Sequence, residues 1–144
     1  MTTTKKSTTS PEVMDQLLAD HFSAEAVRDM GGVIATLSDD CEHDVVGWPT
    51  GVSNGHEELR PFYERLFADF ETGSVEPLRR YYGDDFCVDE VLWKGKAIGQ
   101  PFGMTGDGRS VEFRILHVCE FANGKMTREN VWLDTATLFA QLAA

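Results

Sequence analysis

The feature that most constrains this chain is the run SVEFRILHVCEF, in which Val111, Phe113, Ile115, His117 and Cys119 recur at every second position. Successive side chains of a strand point to opposite faces of a sheet, so these five share one face, while Glu112, Arg114 and Glu120 occupy the other. Ala122-Asn123-Gly124-Lys125 follows at once. Asn-Gly between two extended runs is a hairpin signal, because both residues tolerate the left-handed backbone of the tight turn. MTRENVWLD then returns as the partner strand. A sheet with one long apolar face must be covered, and the rest of the chain has to supply that cover.

Upstream, VEPLRRYY and FCVDEVLW flank Gly83-Asp84-Asp85 and read as another hairpin. The cover comes from helices. Ser10 caps and Pro11 opens a first helix carrying Val13, Met14, Leu17, Leu18 and Phe22. Ser23 is the expected cap of a second, with Ala26, Val27, Met30, Val33, Ile34 and Leu37, weakened at Gly31 and Gly32 and ended by Asp39 and Asp40. CEHDVVGWP reads as a short strand. A third helix starts from Asn54, with Glu57 at capping-box spacing, and carries Leu59, Phe62, Tyr63, Leu66, Phe67 and Phe70. Pro61 demands a kink there or a later start. TATLFAQL closes the chain as a helix. Helices, one strand, a helix and four antiparallel strands make an α+β fold rather than a doubly wound sheet. Residues 1–10 are Thr, Ser and Lys after the initial Met and predict a loose tail; residues 11–144 suit one domain.

Charge and composition narrow the function. Thirteen basic against twenty-four acidic residues leave a net charge of −11, which repels phosphate backbones and anionic headgroups, so neither nucleic acid nor membrane is an expected partner. No apolar run follows the lysines near the start, which makes the cytoplasm the expected compartment. Cys41, Cys87 and Cys119 form no CxxC pair and read as reduced packing residues. His21, His43, His56 and His117 show neither HxH nor HExxH spacing, GxSxG is absent, and GMTGDG lacks a phosphate-loop lysine, so neither a metal nor any other cofactor is expected.

Candidate site residues follow from the strand pattern. His117 shares its face with four buried-type neighbours, as a core histidine or a group facing an interior hollow. Only one of His43 and Asp44 can face inward, and Asp44 is placed slightly ahead. Glu90 shares a face with Phe86, Val88 and Leu92, a setting that would raise its pKa, although the face of Cys87, Asp89, Val91 and Trp93 is nearly as apolar. Asp134 follows Asn130 and Trp132 on one side of the last strand and either projects inward or caps the final helix through Thr135-Ala136-Thr137. Trp48, Tyr63, Tyr82 and Trp132 are expected wall aromatics.

Taken together, DDCEHDVVGWP, NGHEELRPFYERLF, the long segment from RRYYGDDF to FANGKM and the ending ENVWLDTATLFAQL resemble the SnoaL-like polyketide cyclases of the nuclear transport factor 2-like superfamily, over roughly residues 24–142. The resemblance implies a cone: a curved, mostly antiparallel sheet closed by the N-terminal helices around one pocket, often in a homodimer through the outer face. It also implies roles. His117 corresponds to a place where ketosteroid isomerase keeps a protonated acid, and the first strand to that enzyme's proton-shuttling aspartate, which an ungapped match sets at Val45. An acid on the last strand would be the general acid/base, with Asn130 near its place. The expectation is a cofactor-independent acid/base enzyme, a cyclase or isomerase of a small apolar polycyclic or terpenoid substrate, with Asp134 or Asp44 taking a proton and His117 donating one. An epoxide hydrolase or dehydratase is the alternative, and a non-catalytic ligand carrier or dimerisation module is another.

Overall fold

The computed structural model describes residues 8–144, so most of the expected loose start lies outside the described residues. Within the described part of it, the Thr9 amide donates to Asp85 Oδ1 at 2.7 Å. Ser10 Oγ then accepts from the Val13 amide and starts α1 (Pro11–Ala26), which buries Met14, Leu18, His21 and Ala24 on one face. The new helix expected at Ser23 does not form there. Instead α1 runs on to Ala26, the chain turns through Arg28 at φ 60°, and Asp29 caps the short α2 (Met30–Ala35) by accepting from Gly32 N. A Cβ on Gly32 would sit 2.5 Å from that carboxylate and 3.0 Å from the Ala24 methyl, so the glycine that weakens the helix permits its cap. Asp39 and Asp40 do not end a helix; they lie within β1 (Leu37–Val45).

After β2 (Ser53–Asn54), α3 spans Gly55–Asp69. Asn54 gives no side-chain cap, and the carboxylate that reaches back to its amide belongs to Glu58, one residue later than expected. Pro61 lies inside α3, where both it and Glu57 are exposed, so the carbonyl deprived of its partner faces water. Four long strands follow: β3 (Phe70–Gly83), β4 (Phe86–Ala97), β5 (Arg109–Ala122) and β6 (Lys125–Leu133), the middle connection passing through a 3-10 turn at Pro101–Gly103. Asn123 and Gly124, at φ 52° and 73°, make the tight turn between β5 and β6. The last helix, α4, is Thr135–Ala143.

The strands form one curved, unclosed mixed sheet in the order β2-β1-β6-β5-β4-β3. All neighbours are antiparallel except β1 and β6, which run parallel. Register shifts at Thr72/Ser74, Pro77/Arg79 and Glu120/Phe121 bend the long strands. Gly95 lets β3 cross closely over β4, since a Cβ there would lie 2.2 Å from the Glu71 carbonyl. The concave face carries the core. One cluster packs Met14, Leu18, Val33, Leu59 and Tyr63 from the helices against Cys41, Val45 and Met126; a second joins Phe70, Trp93, Val111 and Phe113 to Leu138 and Leu142 of α4. All three cysteines are buried and free, and Cys87 lies directly across from Cys119. Among the described residues no helix is long and apolar enough to cross a membrane.

Candidate active site

Between the two core clusters the concave face leaves a cavity of about 750 Å³, counting its open mouth. Its walls are largely aromatic: Trp48, Phe62, Phe67, Phe70, Trp93 and Phe113. Glu25, Arg28, His43, His117 and Glu129 are its charged or titratable members. Strand parity explains the selection. On β5 the two-residue alternation brings Val111, Phe113, His117 and Cys119 to the buried side. Cross-strand pairing then sets Asp89 opposite His117, and Cys119 and His43 on either side of Glu129.

Two buried carboxylates dominate the polar chemistry. Asp89 is 1% exposed. Its Oδ1 accepts from Arg80 Nε at 2.9 Å, and its Oδ2 lies 3.5 Å from His117 Nδ1. Arg80 continues outward, donating from Nη1 to Asp15 Oδ1 at 2.8 Å, where the Tyr82 hydroxyl also donates. Burial alone would raise the Asp89 carboxyl, but His117 and Arg80 outweigh it and hold the pKa below the ordinary aspartate value.

Glu129, 2% exposed, lies 3.1 Å from His21 Nε2 and 3.5 Å from His43 Nε2 through its Oε2. Glu25 Oε1 approaches the same His21 nitrogen to 3.1 Å and accepts from the Tyr63 hydroxyl at 3.2 Å. The protonation of His21 follows from its other side. Thr36 Oγ1 donates to the Val33 carbonyl at 2.7 Å, so toward His21 Nδ1, 2.8 Å away, it accepts, and Nδ1 carries a hydrogen. Nε2 therefore faces two carboxylates and needs a proton of its own. Burial would lower the His21 pKa, yet Glu129 and Glu25 raise it well above the ordinary histidine value. Glu129 is correspondingly lowered: burial would raise it, but His21 outweighs this with help from His43 and His117. His43, held down chiefly by burial, is the neutral member.

Several expected residues lie elsewhere. Asp134 is a correction: β6 ends at Leu133, and the Asp134 side chain accepts from Thr137 N at 3.2 Å and Thr137 Oγ1 at 2.6 Å, capping α4 outside the cavity. Asp44 points away from the cavity while its neighbours His43 and Val45 line it. Asn130 and Trp132 lie on the convex side of β6, where Asn130 Nδ2 donates to the Asp44 carbonyl and Trp132 is exposed. Glu90 also lies on the convex face, opposite Arg79, because the buried face of β4 is that of Cys87, Asp89, Val91 and Trp93. Tyr82 is exposed and bound to Asp15, outside the cavity. Trp48 lines the cavity; Tyr63 is fully buried behind it, between His21 and His43.

A model of the SnoaL-like polyketide cyclase family matches residues 12–142. The chain belongs to that family. Among solved structures, this SnoaL-like chain is similar to TsrD from Streptomyces laurentii, at 18% identity and a TM-score of 0.80, covering 94% of this chain and 98% of that one. It is also similar to a nuclear transport factor 2-like protein of unknown function from Burkholderia pseudomallei K96243, at 22% identity and a TM-score of 0.76, covering 94% and 100%. A third is an LEH-like epoxide hydrolase of M. tuberculosis, at 18% identity and a TM-score of 0.70, covering 92% and 90%. At such identities the likeness is one of fold. A search of curated proteins finds no match.

Six polar groups of this SnoaL-like site are not singled out by sequence reasoning: Asp89, Glu129, Glu25, His21, Arg28 and Arg80. Only His21 carried a clear signal. It falls three residues after Leu18, on the buried stripe of α1, and Glu25 follows at the helical i, i+4 spacing.

Proposed function

We propose that this SnoaL-like protein is a general acid/base enzyme, an isomerase or cyclase that moves a proton at carbon in a small, largely apolar, ring-containing substrate. The observation behind this reading is the His117–Asp89 pair at the edge of an aromatic cavity. Asp89, kept anionic by Arg80, favours the tautomer with hydrogen on His117 Nδ1 and stabilises the imidazolium once a second proton arrives. Neither His117 nitrogen makes a hydrogen bond among the described residues; Nδ1 is the one that faces Asp89 Oδ2, so Nε2 is the nitrogen left to exchange a proton with a bound molecule. A separation of 3.5 Å at Nδ1 suits a ligand-free site, where such contacts are often long.

In this mechanism Nε2 takes a proton from a carbon next to a carbonyl, the carbonyl oxygen becomes negative, and the same proton is returned at a second position or used in ring closure. Arg28, which lines the cavity and donates to the Phe70 carbonyl at 3.2 Å, supplies positive charge for that oxygen. The aromatic walls exclude water and strengthen both interactions. Asp89 does not line the cavity, and it acts as a positioning residue.

The aligned set Asp15–Arg80–Asp89 favours a second reading, opening of an epoxide or loss of water, and one similar structure is named an epoxide hydrolase. Against it, neither Arg80 nor Asp15 lines the cavity. Turnover of aromatic polyketide, steroid and terpene-epoxide panels by wild type, His117→Ala and Arg80→Lys separates the two. The acid/base reading expects His117→Ala to lower kcat about 100- to 10,000-fold. Undiminished turnover in that variant would sink it, and binding without conversion by wild type would favour a carrier.

A further inference from the structure

We propose that His21, Glu25 and Glu129 form a site for one divalent first-row transition-metal ion, with an open position facing the cavity. Three of these residues bring donor atoms within 4.8 Å of one another: His21 and Glu25 from α1 and Glu129 from β6. His43 of β1 lies beside this cluster, its Nε2 3.5 Å from Glu129 Oε2, without joining it. Separations of 3.1 Å from His21 Nε2 to Glu25 Oε1 and of 3.1 Å to Glu129 Oε2 are the spacings expected between neighbouring ligands around an ion with bonds of roughly 2.0–2.2 Å.

Hydrogen-bond geometry points the same way. Glu129 Oε2 is buried and has no hydrogen-bond partner. It sits 3.1 Å from His21 Nε2 yet makes no hydrogen bond with it. Meanwhile Thr36 pins a hydrogen of His21 on Nδ1, which leaves Nε2, 3.1 Å from each carboxylate and 3.4 Å from the Tyr63 hydroxyl, as the nitrogen available to an ion. Fixing the distal nitrogen by a hydrogen bond is how proteins orient metal-binding imidazoles. Without an ion the countercharge is the proton on His21 Nε2; a divalent ion in its place balances two carboxylates and one neutral imidazole to zero, a favourable charge state for a buried cluster. Mixed nitrogen and carboxylate donors suit zinc, iron, cobalt or manganese rather than magnesium or calcium. Glu25, His43 and Glu129 all line the cavity, so the ion's free position would take an oxygen atom of a bound molecule.

The site is distinct from the proton-transfer pair, and its test is chosen accordingly. Chelator-stripped full-length protein is titrated with Co²⁺ and Zn²⁺, following cobalt absorption and metal content after gel filtration. The expected result is saturable binding of one ion per chain with ligand-field bands of a mixed nitrogen–oxygen site. Thr36→Val weakens it about 10- to 100-fold, Glu25→Gln and Glu129→Gln weaken it further, and His117→Ala leaves it unchanged. Glu25 is partly exposed, so its variant keeps the fold, as a matching circular dichroism spectrum would verify. Absence of saturable binding to wild type, or affinity indifferent to Glu25→Gln and Thr36→Val, overturns the site. Turnover lost in His117→Ala alone would leave the proton-transfer reading standing.

Discussion

The concave face holds two carboxylate–imidazole sets, and they are built on opposite plans. Asp89 is tied to a permanent cation: Arg80 carries its charge outward through Asp15 and Tyr82 to solvent. Among the described residues no arginine or lysine pairs with Glu129; two imidazoles and Glu25 share its neighbourhood. An arginine keeps its proton at every accessible pH, so the charge facing Asp89 from Arg80 is permanent. At Glu129 the countercharge is exchangeable: the proton of His21, or the divalent ion proposed to replace it. On the proposed readings one set passes a proton and the other holds a cation.

Breaking the Glu129 set should have the largest effect on stability. Glu129→Leu leaves Glu25 and the imidazoles without their buried partner, and a loss of about 3–5 kcal/mol of unfolding free energy is expected in urea titration. Asp89→Asn is milder, about 1–3 kcal/mol, because Arg80 keeps Asp15. Its functional mark is a lower kcat with KM little changed and a shifted pH–rate profile; equal stability losses in the two variants would erase the contrast.

Acid sharpens it further. The folded pKa of Asp89 lies below the ordinary value, so its stabilisation is complete above the ordinary aspartate range and disappears as pH falls through that range toward the folded value. Asp89→Asn should therefore flatten part of the acid limb of a plot of unfolding free energy against pH. The smallest effect belongs to Asp134→Ala, which removes only the cap of α4: a slightly lower Tm with turnover unchanged.

How much of this was legible in the sequence varied by element. On β5 one face carries Val111, Phe113, Ile115 and Cys119 while the other mixes Glu112, Arg114 and Glu120 with Leu116 and Val118, so alternation alone assigns His117 to the interior. On β4 both faces are apolar, and nothing in FCVDEVLW distinguishes Asp89 from Glu90; the decision comes from pairing with β5. The β6 parity was read from Asp134 backward, which favoured Asn130 and Trp132, whereas the strand stops at Leu133 and Glu129, Val131 and Leu133 face the cavity. Register on β1 depends on a parallel partner 86 residues away, and no local pattern encodes it. The hairpins, by contrast, are local, and Asn123-Gly124 and Asp84-Asp85 marked them correctly.

The parallel seam between β1 and β6 has a consequence for synthesis. His21, Glu25 and His43 leave the ribosome long before Glu129 does, and until the last strand arrives the amino-terminal portion offers half-finished chemistry on an unpaired strand edge. During synthesis the site is therefore completed only once β6 has been made, and nascent chains halted before Lys125 should remain sensitive to protease.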